Sequence, residues 1–242
     1  MAILCYHSVA CGWDDPVSVE PEDFERQCRR LARSGRVVPL SAMLDRLESG
    51  REIPARRTVL TFDDGFADYA HFAVPIMRRY GLPAAMYLVA GSLTPEGVPV
   101  NWITGLPAEQ APPLLTVEEI KDLRAQGWEF GSHTMRHADL RTLGEEECYR
   151  DLKESREIIS DLLSESCDVL AYPFGRHSEH VRRAARKAGY RIALALPEEP
   201  EERGPFAVSR TGIYRGNGGL TFEAKINPAY AAVRRLRQRL AA

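Results

Sequence analysis

The chain has 242 residues, of which 44% are hydrophobic and 27% are charged, a composition typical of a folded globular protein with a sizeable core. Its net charge of -2 gives no overall attraction to nucleic acid or to anionic membranes, and no apolar stretch approaches the roughly 20 residues that span a bilayer. Five scattered cysteines without a Cys-x-x-Cys pair argue against a disulfide framework and, with an N-terminus that lacks the basic region of a signal peptide, predict a cytoplasmic protein.

Short apolar strands and amphipathic helices alternate about seven times along the chain. Repeated strand–helix units imply a parallel sheet, and polar residues at several strand ends favour a closed barrel, because a barrel gathers those ends on one face. We therefore predict one α/β domain over residues 1–242, a (β/α) barrel with seven or eight repeats. The predicted strands are residues 2–9, 58–62, 84–90, 128–132, 168–172, 190–196 and 206–213, and the predicted helices are residues 24–34, 41–50, 67–80, 116–127, 143–163, 178–188 and 222–242.

The last predicted helix, residues 222–242, is basic and amphipathic. From Lys225 onwards it carries four arginines and no acidic residue, with apolar residues at helical spacing. We predict that this helix packs on the barrel with its basic face in solvent. A helix that lies on a membrane surface is the alternative.

Two adjacent carboxylates follow the strand at residues 58–62. The strand is rich in β-branched and aromatic residues, and it ends in Asp63, Asp64 and Gly65, where the glycine permits a sharp turn. An isolated Asp-Asp-Gly is usually a turn in which one carboxylate caps the backbone and the other is solvated. Matching polar residues at other strand ends favour a functional site instead.

Two histidines, His133 and His137, follow the strand at residues 128–132. A spacing of four residues would place both imidazoles on the same side of a helical turn. With one carboxylate, either Asp63 or Asp64, they would form a three-ligand site that suits zinc, cobalt, nickel, manganese or iron. The second carboxylate would then be free to act as a general base on a metal-bound water. The alternative is a pair of surface histidines on a polar helix.

Three ordered motifs resemble those of the polysaccharide deacetylase superfamily, which is also called the NodB-homology domain or carbohydrate esterase family 4. They are Thr61-Phe-Asp-Asp-Gly65, Ser132-His-Thr-Met-Arg-His137 and Tyr172-Pro-Phe-Gly175. The resemblance covers about residues 2–215, and it implies a distorted (β/α) barrel that hydrolyses the N-acetyl, or sometimes O-acetyl, group of a sugar with the help of a metal ion.

The resemblance also implies roles for individual residues. Asp63 would be the general base, and Asp64, His133 and His137 would hold one divalent metal ion, with zinc preferred. The turn after Tyr172 would bind substrate and stabilise the oxyanion. Because Pro173 has no N–H group, the N–H of Phe174 is the natural donor.

The sequence departs from the superfamily's pattern in two places. Ala171 stands where an arginine usually orients the catalytic aspartate, and no histidine follows His180, although a late Leu-x-His usually supplies the general acid. The Tyr6-His7 element resembles the start of the poly-N-acetylglucosamine deacetylase branch, in which an N-terminal histidine protonates the leaving amine. We therefore expect His7 to be the catalytic acid; a packed or surface histidine is the alternative.

An arginine from another part of the chain could replace the missing one. Arg210, on the strand at residues 206–213, is the first candidate to orient Asp63, and Arg215 is the second. A solvated charge at a strand end is the alternative for both.

Aromatic residues are candidates for stacking on a sugar ring. They are Trp102, which lies in the long Gly- and Pro-rich loop at residues 91–113, together with Tyr172 and Phe174. Aromatic side chains are as often part of a core. A loop of this length in a compact domain is usually functional, and we expect it to select the substrate.

The resemblance therefore implies a metal-dependent hydrolase that removes N-acetyl groups from an amino sugar in a bacterial polysaccharide or glycoconjugate, and the net charge predicts no nucleic-acid partner. One alternative is an amidohydrolase that acts on a non-sugar amide or a cyclic imide. Another is a sugar-binding pseudoenzyme, which Ala171 and the absence of a late histidine favour, and which the presence of Asp63 disfavours.

Overall fold

A computed structural model of the chain describes residues 1–51, 54, 56–103, 106, 110–196, 204–227, 229–230 and 233–234. The loop at residues 91–113 and the C-terminal helix at residues 222–242 are thus described only in part. None of the described helices is both long enough and apolar enough to cross a membrane.

Ten short strands form the sheets in the part of the chain that the structure describes. They are β1 (Ala2–Tyr6), β2 (Ser8–Val9), β3 (Ser18–Val19), β4 (Thr58–Phe62), β5 (Ala85–Leu88), β6 (Glu129–Ser132), β7 (Val169–Ala171), β8 (Ile192–Ala195), β9 (Val208–Ser209) and β10 (Thr211–Gly212). Eight of them make one parallel sheet in the order β10–β1–β4–β5–β6–β7–β8–β9, while β2 and β3 pair separately. The predicted parallel α/β architecture is confirmed.

The two edges of the large sheet are consecutive in sequence, separated only by Arg210. β9 pairs with β8, and β10 pairs with β1, so one short segment of chain joins the two edges. The result is a nearly closed eight-stranded barrel, as predicted. The single strand predicted at residues 206–213 is therefore two short strands, because this segment changes its pairing partner at Arg210.

Among the described residues, seven α-helices of five or more residues connect and cover the strands. They are α1 (Pro21–Ser34), α2 (Leu44–Glu48), α3 (Val74–Arg79), α4 (Val117–Ala125), α5 (Glu145–Leu163), α6 (Glu179–Lys187) and α7 (Gly219–Ile226). The predicted capping box forms at α4, where the Thr116 hydroxyl accepts from the Glu119 N–H and the Glu119 carboxylate accepts from the Thr116 N–H.

The helix predicted to start at residue 222 differs in both its start and its extent. It starts at Gly219 and ends at Ile226, and Asn227 has an extended backbone with ψ of 128°. Proline disfavours helical backbone in the residue before it, so Pro228 accounts for the break. Residues 230, 233 and 234 are helical again, and the Val233 N–H donates to the Ala229 carbonyl at 2.9 Å, so the predicted helix is interrupted at Asn227 and resumes beyond it. Residues 235–242 lie outside the described part of the chain.

Alternate residues of the strands face two separate cores. One set, which includes Leu4, Leu60 and Met86, packs against the surrounding helices. The other set, which includes Ile3, Val59 and Tyr87, fills the barrel together with residues of the segment at 40–47. This alternation follows from the two-residue period of a strand, and it turns Cys5 and His7 to the same side as Ile3. Polar side chains thus enter the barrel at the ends of its strands.

Candidate active site

The predicted site residues meet at the carboxyl ends of the barrel strands. His7 follows β1, Asp63 and Asp64 follow β4, and His133 follows β6. β1 and β4 are adjacent and parallel, with Tyr6 opposite Phe62, so their ends lie side by side. Gathering strand ends on one face is what a parallel barrel does, and it concentrates polar groups from distant parts of the sequence.

Asp64 and the two histidines form a compact buried cluster. Asp64 Oδ1 lies 3.4 Å from His133 Nε2 and 3.2 Å from His137 Nε2. All three residues are at most 7% exposed. Asp64 has a left-handed backbone, with φ of 74°, which turns its side chain away from the direction a regular strand would give it. Consecutive side chains of a regular strand point to opposite faces, whereas Asp63 Oδ2 and Asp64 Oδ1 both lie within 4.0 Å of His133 Nε2.

The segment that carries the two histidines is a loop, and the predicted helical turn is wrong. Thr134 and His137 have positive φ angles of 71° and 55°, which no α-helix contains. The loop is held by hydrogen bonds of its own, from the Thr134 N–H to the Ser132 hydroxyl and from the His137 N–H to the Thr134 hydroxyl. Both imidazoles still face Asp64.

The cluster fits a divalent metal ion. His133 Nδ1 lies 2.8 Å from the carbonyl of Ala171, which can only accept, so Nδ1 carries the proton and Nε2 presents a lone pair toward Asp64. Asp64 Oδ1 is buried and has no hydrogen-bond partner among the described residues. A carboxylate oxygen and imidazole nitrogens that converge in this way are the donor set of a three-ligand zinc site. These atoms lie within 4.8 Å of one another.

Asp63 belongs to a second, adjoining cluster. Arg210 donates from Nη1 to Oδ1 and from Nη2 to Oδ2, both at 2.7 Å, and it is fully buried. The Cys5 thiol donates to Oδ2 at 3.3 Å. Burial would raise the pKa of Asp63, but the paired Arg210 guanidinium outweighs it and lowers the pKa to about 2. Asp63 is therefore ionised at neutral pH.

His7 lies beside Asp63 and is partly buried. One ring nitrogen of His7 lies within 4.8 Å of a carboxylate oxygen of Asp63 and of the thiol of Cys5. Its Nδ1 is buried and has no hydrogen-bond partner in the described part of the chain. The ring lies nearly parallel to that of Tyr214, with an interplanar angle of 22° and a centroid distance of 6.3 Å. The structure thus places His7 at the edge of the carboxylate cluster.

Two further aspartates hold the backbone of the site segments. Asp151, which is buried on α5, accepts a hydrogen bond of 3.0 Å from the Met135 N–H in the middle of the histidine loop. Asp68 accepts from the Ser8 hydroxyl at 2.5 Å and from the Val9 N–H at 3.2 Å, directly after His7. Burial raises the pKa of each carboxyl to about 6.

Sequence reasoning missed Asp151, Asp68 and Cys5. Asp151 carried a signal, because it shares the buried face of α5 with Cys148, Leu152 and Ser155. A charged residue on a buried helix face requires a polar partner. Cys5 lies two residues before His7 on the same side of the chain, which also could have identified it. For Asp68 no comparable signal exists.

The aromatic residues behave differently from one another. The Trp102 ring stacks on His137 at 4.8 Å, and the Phe174 ring meets the same imidazole edge-on at 4.7 Å. Phe174 is 39% exposed and is available to a ligand. Tyr172 is fully buried and its hydroxyl donates to the Phe206 carbonyl, so the expected stacking of its ring on a sugar does not fit the structure.

The Phe174 N–H does not take part in the two backbone hydrogen bonds that close the turn at residues 173–175. Within the turn, the Gly175 N–H donates to the Tyr172 carbonyl and the Arg176 N–H donates to the Pro173 carbonyl. Phe174 has a left-handed backbone with φ of 58°. Its expected role as an oxyanion donor remains a prediction.

Arg215, the second candidate to orient Asp63, lies elsewhere. Its guanidinium donates to the Trp13 carbonyl and pairs with Glu20 at 3.0 Å. The side chain thus ties the loop after β10 to the segment before α1. Only Arg210, of the two candidates, contacts Asp63.

Comparison with known proteins identifies relatives over most of the chain. The family model described as polysaccharide deacetylase matches residues 50–193. The Bacillus subtilis (strain 168) protein YxkH is 25% identical over 232 residues, which cover 93% of this chain and 76% of that protein. The poly-beta-1,6-N-acetyl-D-glucosamine N-deacetylase of Staphylococcus aureus is 23% identical over 192 residues, which cover 75% of this chain but only 62% of that enzyme.

A solved structure has the same fold. The Streptococcus pyogenes deacetylase PplD, determined in complex with acetate, superposes with a TM-score of 0.78 at 21% sequence identity. The superposition covers 94% of this chain and 98% of PplD. At this level of identity the likeness concerns the fold, and it agrees with the nearly closed barrel described above.

Proposed function

The chain belongs to the polysaccharide deacetylase family, whose members hydrolyse N-acetyl amide bonds, and on that premise we propose that it removes acetyl groups from an amino sugar with the help of one divalent metal ion. The observation that carries the proposal is the convergence of two clusters. Asp64, His133 and His137 provide a metal-binding donor set, and the Arg210-bound Asp63 lies directly beside it, with its Oδ2 4.0 Å from His133 Nε2.

Asp64, His133 and His137 would hold the metal ion. When bound, such an ion polarises a carbonyl group and lowers the pKa of a bound water to about 7. The Ala171 carbonyl orients His133, and Asp151 fixes the backbone between the two histidines. We propose zinc rather than cobalt, nickel, manganese or iron, because a site with two imidazoles and one carboxylate is a common zinc site, although it suits the other metals as well.

Asp63 would act as the general base. Its carboxylate is ionised at neutral pH and can accept a proton from the attacking water, while Arg210 holds both oxygens in a defined plane. The N–H of Phe174 would donate to the oxyanion that develops on the acetyl carbonyl. These roles follow from the chemistry of the groups and from their positions around Asp64.

His7 would act as the general acid. An amine is a poor leaving group unless it is protonated, and protonation by a positioned imidazole is the ordinary solution. His7 lies at the end of β1, with a ring nitrogen within 4.8 Å of a carboxylate oxygen of Asp63, and it is partly open to solvent, so a proton can reach it between turnovers. The products would be acetate and a free amino sugar.

We propose that the substrate is a glycan that contains N-acetylglucosamine. The support is the staphylococcal relative, whose name gives poly-beta-1,6-N-acetyl-D-glucosamine as its substrate. Trp102 and Phe174 flank His137 and would contact the sugar. The family assignment does not favour a non-sugar amide as the substrate. The contact between Arg210 and Asp63 disfavours a pseudoenzyme, because it supplies the arginine that is missing at Ala171. The cytoplasmic location stays a prediction from the sequence.

Metal content and acetate release test the proposal together. We would measure both on the wild type, on Asp64→Ala and on Asp122→Ala, in which the aspartate is exposed on α4. We expect about one metal ion per chain and acetate release from an N-acetylglucosamine oligomer in the wild type and the control variant, and neither in Asp64→Ala. A wild type that contains metal but releases no acetate from any amino sugar would contradict the proposed substrate, and a wild type that binds no metal would contradict the mechanism.

A further inference from the structure

A cavity of about 200 Å³ adjoins the candidate active site on the side of His7. Phe174 and Tyr214 both line it. The Phe174 ring also contacts His137, and the Tyr214 ring stacks on His7, so the cavity opens between a metal-ligand candidate and the proposed acid. In the proposed reaction, the leaving amine and the sugar that carries it lie on the His7 side. The cavity is therefore placed to receive a part of that sugar.

Two cations from the C-terminal part of the chain line the cavity. Lys225, on α7, donates to the Gly212 carbonyl at 2.7 Å and to the Asn217 amide oxygen at 2.5 Å, both of which are neutral acceptors. Arg234 donates to the Ser209 hydroxyl at 2.7 Å and to the Arg210 carbonyl at 3.2 Å. These bonds hold both positive charges at fixed positions near the mouth of the site.

No acidic side chain is found among the described residues that line the cavity. Burial and the nearby charge of Arg234 lower the pKa of Lys225. An anionic group that enters the cavity would meet the Lys225 ammonium, whose two hydrogen-bond acceptors in the described part of the chain are neutral. Two tyrosines, Tyr214 and Tyr230, complete the lining and offer ring faces on which a pyranose can pack.

We propose that this cavity is a subsite for an anionic group, a phosphate or a carboxylate, on the sugar whose amine is released. The proposal rests on the proposed function and narrows its substrate class to anionic amino-sugar derivatives. The cavity is smaller than the 300–1,000 Å³ typical of sites for drug-sized ligands, and it suits one charged substituent and part of a ring. The selected sugar would carry its charge close to the acetamide.

Titration calorimetry with three small probes tests the subsite. The probes are N-acetylglucosamine, its 1-phosphate, and N-acetylmuramic acid, which carries a carboxylate. We expect the wild type to bind at least one anionic probe about tenfold more tightly than the neutral sugar, with the difference shrinking as salt is added. The phosphate and carboxylate arms identify which anion the cavity prefers.

Variants of Lys225 decide whether the cavity is responsible. Lys225→Gln should reduce the preference for the anion to within about twofold, and Lys225→Arg should keep most of it because the charge remains. Lys187→Gln, on α6 and in contact with Tyr149, is the matched control and should behave as the wild type does. Equal affinities for all three probes in the wild type, or an undiminished preference in Lys225→Gln, would overturn the proposal. A melting temperature for each variant separates loss of the subsite from loss of the fold.

Acetate release from a neutral N-acetylglucosamine oligomer separates this proposal from the proposed function. Acetate release without any preference for an anionic probe would leave the deacetylase function in place and remove the subsite. A preference for an anionic probe that depends on Lys225, without acetate release from any probe or oligomer, would leave the subsite in place and remove the proposed reaction.

Discussion

Arg210 donates two hydrogen bonds of 2.7 Å to the two carboxylate oxygens of Asp63, across 147 residues of sequence. Arg210 lies where the barrel closes, between β9 and β10, and its fully buried side chain reaches the end of β4. Ala171, where the superfamily's arginine was expected, instead packs in the barrel core and offers its carbonyl to His133. The segment that closes the barrel thus supplies the guanidinium that contacts Asp63.

Replacing Arg210 should change the pH dependence of the reaction as well as its rate. In Arg210→Gln the guanidinium no longer offsets the burial of Asp63, so the pKa of that carboxyl rises and the acid limb of kcat/KM moves to higher pH. We also expect about a hundredfold loss of kcat, because the base loses its fixed orientation. The measurement is acetate release as a function of pH.

Arg210→Lys separates the two effects of that arginine. A lysine keeps a positive charge but cannot make two parallel hydrogen bonds, so the acid limb should stay close to that of the wild type while kcat falls. Arg33→Gln, an exposed arginine on α1, is the control and should change neither quantity. An Arg210→Gln enzyme with the wild-type pH profile would contradict the proposed role.

The strands and the residues at their ends could be predicted from the sequence because each strand is marked by the composition of its own few residues and by the polar residues that directly follow it. The contact between Arg210 and Asp63 depends on how the barrel closes, so the sequence could only place Arg210 at a strand end. The loop at residues 133–137 shows that a local pattern can also mislead. Its four-residue spacing suggested a helical turn, but tertiary contacts, among them the bond from Met135 to Asp151, select a loop.

His7→Gln should lose turnover and keep metal. Removal of a general acid typically costs 10²–10⁴-fold in rate, and His7 is not one of the three residues that converge on the proposed metal position. The loss should be far smaller for an aryl acetate, whose leaving group needs no proton. Acetate release from an N-acetylglucosamine oligomer and from the aryl acetate would be compared on one preparation, with metal content as the control. Equal losses on both substrates would exclude a role for His7 as the acid.

Asp151 should affect metal binding without touching the metal. Asp151→Ala leaves the Met135 N–H without its acceptor in the middle of the histidine loop, and we expect zinc affinity to fall about 10- to 100-fold. Asp151→Asn retains an acceptor oxygen and should bind zinc nearly as the wild type does. Asp161→Ala, at an exposed position of the same helix, is the control. Zinc affinity would be measured by titration for the wild type and the three variants. An Asp151→Ala variant that binds zinc as tightly as the wild type would contradict this role.

Asp151 also predicts a pH dependence of stability. Burial raises the pKa of its carboxyl from an ordinary 3.8 to about 6, so between these values the folded protein binds more protons than the unfolded chain. The free energy of unfolding should therefore fall as pH rises from about 4 to 6, and Asp151→Asn should flatten part of this fall. Asp68, whose pKa is also about 6, accounts for a remaining part. Urea unfolding of the wild type and of Asp151→Asn at pH 4, 5, 6 and 7 measures this dependence. If the free energy of unfolding fell with pH as steeply in Asp151→Asn as in the wild type, Asp151 would not be the group responsible.

Gly131 should be intolerant of a side chain because it lies in β6, two residues before His133. A Cβ atom there would approach the Tyr87 ring to 2.6 Å and the Val169 carbonyl oxygen of the neighbouring strand to 2.7 Å. Tyr87 is buried, and the carbonyl belongs to the sheet backbone, so neither can move without disturbing the barrel. We expect Gly131→Ala to lower the free energy of unfolding by about 1–3 kcal/mol and to weaken zinc binding through the shifted strand end.

The matched control is Gly144→Ala, because a Cβ atom at Gly144 would meet nothing within 4 Å. Gly144 precedes α5, where alanine is a poorer N-terminal cap than glycine, so a loss of only a few tenths of a kcal/mol is expected. Urea unfolding measures the stability of both variants, and zinc titration measures the effect on the site. If Gly131→Ala were as stable as Gly144→Ala, the close packing of β6 against Tyr87 and β7 would not be what holds His133 in place.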